Sequence, residues 1–236
     1  MSDDLDMSIE ALHAPREVAP PSDPWLERRM HGFGASEIGA LYLALGLRAP
    51  AASDPKYLLD AAKRLFAVKA GKRKAAGGSR ATAGGQRRER DVLRAWVDAG
   101  CVGTECEPWT VQHVDVIPRE YLPLVDRHCP RLSCTPDAFA FDAQDRLCHV
   151  EIKTTWARHD ARHDGAIWWG YRLQVLAGMA VTAAHSGALV IGLGYASDDD
   201  GQLAVYAVER DDDEIGRIRA ACVEGWKAVE QMRSKK

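Results

Sequence analysis

Hydrophobic residues recur with two different spacings along this chain, and the change between them separates predicted helices from predicted strands. Spacings of three and four residues predict helices at 37–47, 53–71, 86–100, 168–185 and 211–232. From Trp109 onward, alternating apolar and polar residues predict strands at 109–117, 132–141, 146–155, 187–196 and 202–209. This order predicts an α/β fold in which helices flank both faces of a central mixed β-sheet.

Residues at the ends and on one side of these segments define the helices further. Ser36 is expected to cap the first helix. Pro55 in the first turn and Gly71 after the last turn are expected to bound the second. One face of the last helix is apolar and is expected to be buried, with Ile215, Ile218, Cys222, Trp226 and Val229.

Composition limits the class of protein. With 236 residues, of which 46% are hydrophobic, the chain can bury one sizeable core. Residues 1–24 hold four prolines and show no periodicity, so we expect a disordered leader followed by a single domain at 25–236. The longest apolar runs are about half as long as a membrane-spanning helix, and the first residues lack an apolar signal core. A soluble protein of the cytoplasm is therefore expected.

The six cysteines are expected to stay reduced in such a compartment. Four of them, Cys101, Cys106, Cys129 and Cys134, form two pairs with four residues between the members. Because this spacing fits no common zinc finger, metal binding by these four stays an open question.

Positive charge is concentrated in one segment. The formal net charge is −3, yet residues 63–94 carry eleven Lys and Arg against two acidic residues. The glycine-rich run AAGGSRATAGG at 75–85 interrupts this basic segment and is expected to be a flexible loop. Lys72, Arg73 and Lys74 just before it could contact the phosphates of a nucleic acid, while a solvated helix face is the alternative.

Two predicted strands carry polar residues that could form a chemical site. Glu151 and Lys153 share one face of the strand RLCHVEIKTT, because successive side chains alternate. The preceding strand segment carries Asp137. If a three-residue turn at 143–145 joins the two strands, Asp137 lies opposite Glu151. A four-residue turn would place Asp137 opposite Val150 instead.

Facing carboxylates repel each other unless a cation separates them. Asp137 and Glu151 would supply hard oxygen ligands, which suit Mg²⁺ and Mn²⁺. Lys153 could hold a water molecule or a phosphate oxygen and neutralise the charge that develops during phosphodiester cleavage. Glu89 shares a helix face with the apolar stripe that ends at Trp96, so it could complete the cluster. The alternative is a surface ion pair on an edge strand, because a Glu-x-Lys triplet is common by itself.

Five segments in this order resemble the YqaJ-like viral recombinase family, the lambda exonuclease family of PD-(D/E)xK nucleases. They are WLERRMHGFGASEIGAL, GQRRERDVLRAW, TPDAF, VEIKTT and YRLQVLAGMAVT. The resemblance runs from Trp25 to the C-terminal helix and implies the restriction-endonuclease-like fold. The departures are Leu176, where the family has a second Gln, and Thr135 and Ala138, where it has Ser and Gly.

The resemblance also implies the metal ligands. Asp137 and Glu151 would bind Mg²⁺ together with the backbone carbonyl of Ile152, and Mn²⁺ is expected to substitute. Glu89 would reach a second metal ion or its water shell.

The remaining roles that the resemblance implies concern water and phosphate. Lys153 would orient the attacking water, and Gln174 would support the lysine or the water. Arg29 and Ser36 would grip the 5′-phosphate of the digested strand, with Thr135 as a further phosphate contact. For Arg29 and Ser36, a surface arginine and an ordinary helix cap are the alternative.

By the same resemblance the function is that of a Mg²⁺-dependent exodeoxyribonuclease that digests linear double-stranded DNA from 5′ to 3′ in phage-type recombination. The implied partners are DNA ends, a single-strand annealing protein and two further copies in a trimer, within a bacterial or phage-infected cell. The alternatives are a RecB- or Cas4-like nuclease, a structure-specific endonuclease on the same fold, and a catalytically dead DNA-binding module.

Overall fold

Helices and strands follow one another in the order that the spacing of apolar residues predicts. The computed structural model describes residues 27, 29–51, 54–73, 80–100, 113–116, 123–142, 144–155, 165–194 and 202–235. The expected leader at 1–24 lies outside these residues, so its disorder stays a prediction.

The described elements comprise helices of seven to 23 residues and strands of two to nine. The helices are α1 (Ile38–Ala44), α2 (Lys56–Lys69), α3 (Arg80–Asp98), α4 (Gly165–Thr182) and α5 (Asp212–Ser234), with a 3₁₀ turn at Ala35–Glu37 before α1. The strands are β1 (Phe33–Gly34), β2 (His113–Val116), β3 (Leu124–Val125), β4 (Leu132–Cys134), β5 (Ala138–Phe141), β6 (Leu147–Thr155), β7 (Ser186–Leu193) and β8 (Gln202–Glu209).

These strands form one large and one small sheet. The large sheet has the order β2-β5-β6-β7-β8 and is mixed, because β6 and β7 are parallel while the other neighbours are antiparallel. The small sheet has the order β1-β4-β3, with β1 parallel to β4. β4 and β5 are three residues apart, so the small sheet leads directly into the large one.

Helices pack on both faces of the large sheet, which confirms the predicted α/β layers. On one face, α3 buries Val92, Leu93 and Trp96 against Val150 and Ile152 of β6. The other face contacts a larger apolar cluster that α1, α4 and α5 share. The predicted apolar face of α5, which includes Ile215, Cys222 and Val229, is buried there. The two faces of β6 therefore lie in different environments.

The hairpin between β5 and β6 has the predicted three-residue turn. Ala138 pairs with Val150, and Phe141 pairs with Leu147. Asp142 N–H donates to the carbonyl of Arg146 at 3.2 Å, which closes the turn. Asp145 has a φ of +57°, a left-handed conformation that Asp tolerates better than most residues. The pairing that places Asp137 opposite Glu151 is thus confirmed.

Ser36 does not cap a helix, so that prediction is wrong. It lies inside the 3₁₀ turn and is exposed, while α1 begins two residues later at Ile38. The carboxylate of Glu37 accepts the backbone N–H of Gly34 at 2.7 Å, which satisfies a donor at the start of the turn. Glu37 thus accepts a donor that precedes the turn, and neither Ser36 nor Glu37 caps the start of α1 with its side chain.

Two predicted boundaries also need correction. Helix α3 begins at Arg80, so the expected flexible loop at 75–85 is wrong from Arg80 onward. Each Gly in a helix costs about 1 kcal/mol relative to Ala, which the well-packed second half of this long helix can offset. The predicted strand 132–141 is divided into β4 and β5, because Pro136 lacks the N–H that a continuous ladder needs.

Within the described part of the chain, no helix is long and apolar enough to cross a membrane. Location in the cytoplasm stays a prediction.

Candidate active site

The β5–β6 hairpin brings two acidic side chains together near the middle of β6. Asp137 directly precedes β5, and its Oδ2 accepts the backbone N–H of Ile152 at 2.8 Å. The pairing of Ala138 with Val150 places Asp137 beside Glu151, one step further along the ladder. A side chain that bonds to the neighbouring strand has little freedom to turn away. The hairpin therefore fixes Asp137 against β6.

Glu151 is buried, with 5% of its surface exposed, and it is bonded from two sides. Lys153 Nζ and Gln174 Nε2 both donate to its Oε1. Lys153 lies two residues along the same strand face, whereas Gln174 comes from α4. The Lys153 side chain is 20% exposed, so its ammonium lies between the buried Glu151 carboxylate and the surface.

The protonation of these groups is strongly coupled to burial. Burial and the neighbouring Glu151 charge raise the pKa of Asp137 to about 8, although Lys153 partly opposes this. Burial would also raise the pKa of Glu151, but the Lys153 ammonium more than offsets it and holds that pKa below its usual value. Burial would lower the pKa of Lys153, yet the two carboxylates keep it above its usual value. In the metal-free site, Asp137 therefore keeps its proton to a higher pH than an exposed Asp does.

Glu89 lies close enough to act on this group by its charge. It is half-buried on α3, next to the buried stripe that begins at Val92. Its charge raises the pKa of Asp137 and of Lys153. The residues that the structure describes nevertheless contain no cluster of three His, Cys, Asp or Glu side chains arranged to hold a metal ion. Glu89 thus lies close enough to Asp137 and Lys153 for its charge to shift their pKa values.

The donor set fits a hard divalent cation that keeps part of its water shell. Asp137 and Glu151 present carboxylate oxygens, and Mg²⁺ is usually held by one or two carboxylates while other positions stay with water or phosphate. The raised pKa of Asp137 follows from burial and from the charge of Glu151, which Lys153 offsets only in part. Such a site gains from a second positive charge.

A second group of polar residues surrounds Arg29. Its Nη2 donates to Ser36 Oγ at 3.3 Å and lies 3.8 Å from Glu37 Oε2. A Cβ added to Gly34 would lie 2.9 Å from the same Nη2, so the glycine leaves room for the guanidinium. Arg29 and Ser36 are therefore neighbours, as the spacing between them suggests.

Lys69 completes this second group and was not predicted as part of it. It is 2% exposed, and its Nζ donates to Glu37 Oε2 and to the carbonyl of Arg29, both at 2.8 Å. Lys69 belongs to the basic segment 63–94, so the alternative of a solvated helix face does not hold at this position. Leu65 is also buried on α2, four residues earlier, so helical periodicity could have identified the inward position.

The small sheet aligns the Arg29 group with the Asp137 group. Gly34 of β1 pairs with Ser133 of β4 in parallel, so the chain runs in the same direction on both strands. Ser36 follows Gly34 by two residues, and Thr135 follows Ser133 by two residues. Both therefore leave the same end of the small sheet, and Thr135 leads into Asp137.

A model of the YqaJ-like viral recombinase domain matches residues 24–185. The chain belongs to this family. No curated protein matches the sequence significantly. The matched region contains both the Arg29 group and the pair Asp137 and Glu151, so the resemblance found in the sequence is confirmed.

Solved exonuclease structures share the fold. An alkaline exonuclease from Laribacter hongkongensis superposes with a TM-score of 0.62 and 17% identity, over 90% of this chain and 94% of that chain. Its complex with dAMP gives 0.64 and 18%, over the same shares. A phage related exonuclease from Haemophilus somnus 129PT gives 0.56 and 13%, over 89% of this chain and 99% of that chain. The restriction-endonuclease-like fold predicted from the resemblance is thus confirmed.

The remaining predicted residues are described in part. Lys72 Nζ donates to the carbonyl of Lys235 at 2.6 Å, and Arg73 is exposed, while Lys74 lies outside the described residues. Cys129 and Cys134 are buried free thiols. Cys101 and Cys106 lie outside the described residues, so metal binding by the four cysteines stays open.

The raised pKa of Asp137 predicts a pH-dependent gain for Asp137→Asn in metal-free protein. An unfolded Asp loses its proton near pH 4, whereas folded Asp137 keeps it to about pH 8. Between these values the unfolded state binds fewer protons, so Asp137 lowers the free energy of unfolding as pH rises. The stability advantage of Asn should grow by roughly 1 kcal/mol or more from pH 5 to pH 8. Urea unfolding with a chelator present measures it.

Asp145→Asn is the matched control, since Asp145 lies in the turn of the same hairpin with its side chain exposed. An advantage of Asp137→Asn that does not change with pH would contradict the raised pKa.

Proposed function

We propose that this chain is a Mg²⁺-dependent exodeoxyribonuclease that digests one strand of linear double-stranded DNA from its 5′ end. Membership of the YqaJ-like family and the fold shared with two exonucleases support a deoxyribonuclease, a hydrolase of phosphodiester bonds. The observation that carries the proposal is the convergence of Asp137, Lys153 and Gln174 on one buried carboxylate, that of Glu151.

Each residue of this group has a task in phosphodiester hydrolysis. A bound Mg²⁺ would activate water and stabilise the charge on the scissile phosphate. Asp137, Glu151 and the Ile152 carbonyl would hold it, and Glu89 would act on its water shell or on a second ion. The Lys153 ammonium lies at the edge of the carboxylate pair, where it can orient a water molecule and neutralise phosphate charge. Gln174 keeps the Glu151 carboxylate from rotating.

The Arg29 group supports a preference for a 5′-phosphate. Arg29 and Lys69 both lie against Glu37, so these three side chains together carry a net charge of +1. A guanidinium and a hydroxyl together suit a terminal phosphate. The predicted contribution of a helix N-terminus is absent here, because α1 begins beyond Ser36 and an acidic residue precedes it. Recognition would therefore depend on the side chains of Arg29 and Ser36, with Thr135 nearby.

The wider biological setting also belongs to the proposal. We propose a role in phage-type recombination beside a single-strand annealing protein, in the cytoplasm of a bacterial or phage-infected cell. A ring-shaped trimer would hold the DNA. These statements follow from the likeness to the lambda exonuclease family.

Replacement of the central residues should remove cleavage and leave DNA binding intact. Glu151→Gln, Asp137→Asn and Lys153→Ala should each slow digestion of linear duplex at least about 100-fold, because each removes charge stabilisation of the transition state. Unmodified protein should lose activity with a chelator and regain it with Mg²⁺ or Mn²⁺. Single-turnover digestion and a binding assay measure the two quantities.

Asp145→Asn serves again as the control and should digest DNA normally. Near-normal turnover in any of the three central variants would contradict the site. Cutting of closed circular DNA would favour the endonuclease alternative, and metal-independent binding without cleavage would favour the inactive binding module.

Duplex with 5′-phosphates should be digested about tenfold faster than duplex with 5′-hydroxyls. One charge-assisted hydrogen bond contributes about 1.5–3 kcal/mol, which corresponds to at least a tenfold change in rate. Arg29→Ala should remove most of this preference, whereas Arg28→Ala should keep it. Initial rates on the two substrates measure the effect.

Equal rates of the unmodified protein on both substrates would exclude a terminal-phosphate site. Loss of the preference through Arg28 would transfer the role to that residue.

The basic segment generates a separate prediction about affinity. Replacing Lys72, Arg73 and Lys74 together with Ala should weaken DNA binding and flatten its salt dependence by up to about 0.9 per lost phosphate contact. Lys227 and Arg217, exposed cations of α5, provide the control when replaced together. An unchanged salt slope in the triple variant would identify the segment as a solvated surface.

A further inference from the structure

A histidine in the middle of the large sheet faces the proposed metal ligand Glu151. His149 lies on β6 two residues before Glu151, so their side chains share a face of the strand. It is 1% exposed, and its Nε2 lies 3.8 Å from Glu151 Oε2. Neither ring nitrogen has a hydrogen-bond partner among the residues that the structure describes. Buried polar atoms rarely lack a partner without a reason.

The space that His149 occupies depends on a glycine in α4. A Cβ added to Gly178 would lie 2.0 Å from His149 Nε2 and within 2.5 Å of two ring carbons. The helix therefore contacts the imidazole directly at this point. On the sheet, the ring lies between Phe139 of β5 and Gly187 of β7, the residues paired with His149. The imidazole is thus enclosed on its sides and held facing Glu151.

The two oxygens of Glu151 have different surroundings. Oε1 accepts hydrogen bonds from Lys153 and Gln174, while Oε2 faces His149. A separation of 3.8 Å is about 1 Å too long for a hydrogen bond. Hydrogen bonds in active sites are often long in the absence of ligand and shorten when it binds.

We propose that His149 is a positioning residue that donates from Nε2 to Glu151 Oε2 and thereby fixes the orientation of the carboxylate that would bind a divalent cation. The inference rests on the proposed function, since it assigns the support behind one ligand of that site. Partners behind a metal ligand typically change metal affinity 10- to 100-fold when they are removed. His149 supplies such a partner from the interior of the sheet.

Binding of Mn²⁺ to the full chain without DNA tests this role. His149→Phe keeps a ring and removes the donor, so the dissociation constant for Mn²⁺ should rise at least about tenfold. His149→Gln restores an N–H near the Nε2 position and should bind within about threefold of the unmodified protein. Isothermal titration measures Mn²⁺ affinity, and thermal unfolding of the metal-free proteins measures stability.

Val150→Ala is the matched control, because Val150 is the next residue of β6 and packs on the opposite face of the sheet. It should lower the melting temperature and leave Mn²⁺ affinity unchanged. If His149→Phe does not fold, His149→Leu takes its place, because leucine also lacks a donor and should weaken Mn²⁺ binding equally.

Three results would overturn the inference. Unchanged Mn²⁺ affinity in His149→Phe, or in His149→Leu as its substitute, would exclude a positioning role while leaving the metal site in place. Weakening by Val150→Ala as large as that by His149→Phe would reduce the histidine to a general structural role. Failure of the unmodified protein to bind Mn²⁺ would instead overturn the proposed metal site, and this inference with it.

Discussion

The close approach of the half-buried Asp137 carboxylate to the buried Glu151 carboxylate is the constraint on which the rest of this site depends. Asp137 and Glu151 lie on neighbouring strands that are hydrogen-bonded in a fixed register, so they cannot move apart without breaking the hairpin. Charge buried in this way is costly unless it is paired. Lys153 supplies the pairing from the same strand face, and a proton on Asp137 supplies the rest. In the metal-free site, the Lys153 ammonium and a proton on Asp137 thus balance the charges of the two carboxyl groups.

The close approach of α4 to the sheet sets the geometry around Glu151. Gln174 and Gly178 are four residues apart on this helix, a rise of about 6 Å, and His149 and Glu151 are about 6.6 Å apart along the strand. The two spacings match, so Gln174 reaches Glu151 while Gly178 lies against His149. A larger residue at position 178 would move the helix or the ring. Gly178 therefore determines both how closely Gln174 approaches Glu151 and how much room the His149 ring has.

The sequence predicts the features that depend on local periodicity. Alternation on both arms of the hairpin limits the pairing to a few registers, and the structure selects the three-residue turn that brings Asp137 opposite Glu151. The two-residue strands β1 and β3 are too short for any period to appear, and they become strands through pairing with β4. The burial of Lys69 and its hydrogen bond to Glu37 depend on contacts between α2 and the segment before α1. The contact between His149 and Gly178 could not be predicted from local patterns, because the two residues lie far apart along the chain.

The small sheet gives a physical reason why the proposed end recognition and the proposed cleavage would belong together in one fold. An enzyme that removes nucleotides successively from an end must keep its terminal-phosphate site at a fixed separation from the scissile bond. Here β1, which pairs in parallel with β4, lies within the segment that carries Arg29 and Ser36. Only Thr135 and Pro136 separate the end of β4 from Asp137. Proline restricts its own backbone and that of Thr135 before it. A short, stiff connection of this kind would keep the proposed phosphate site at a fixed distance from the proposed metal ligands.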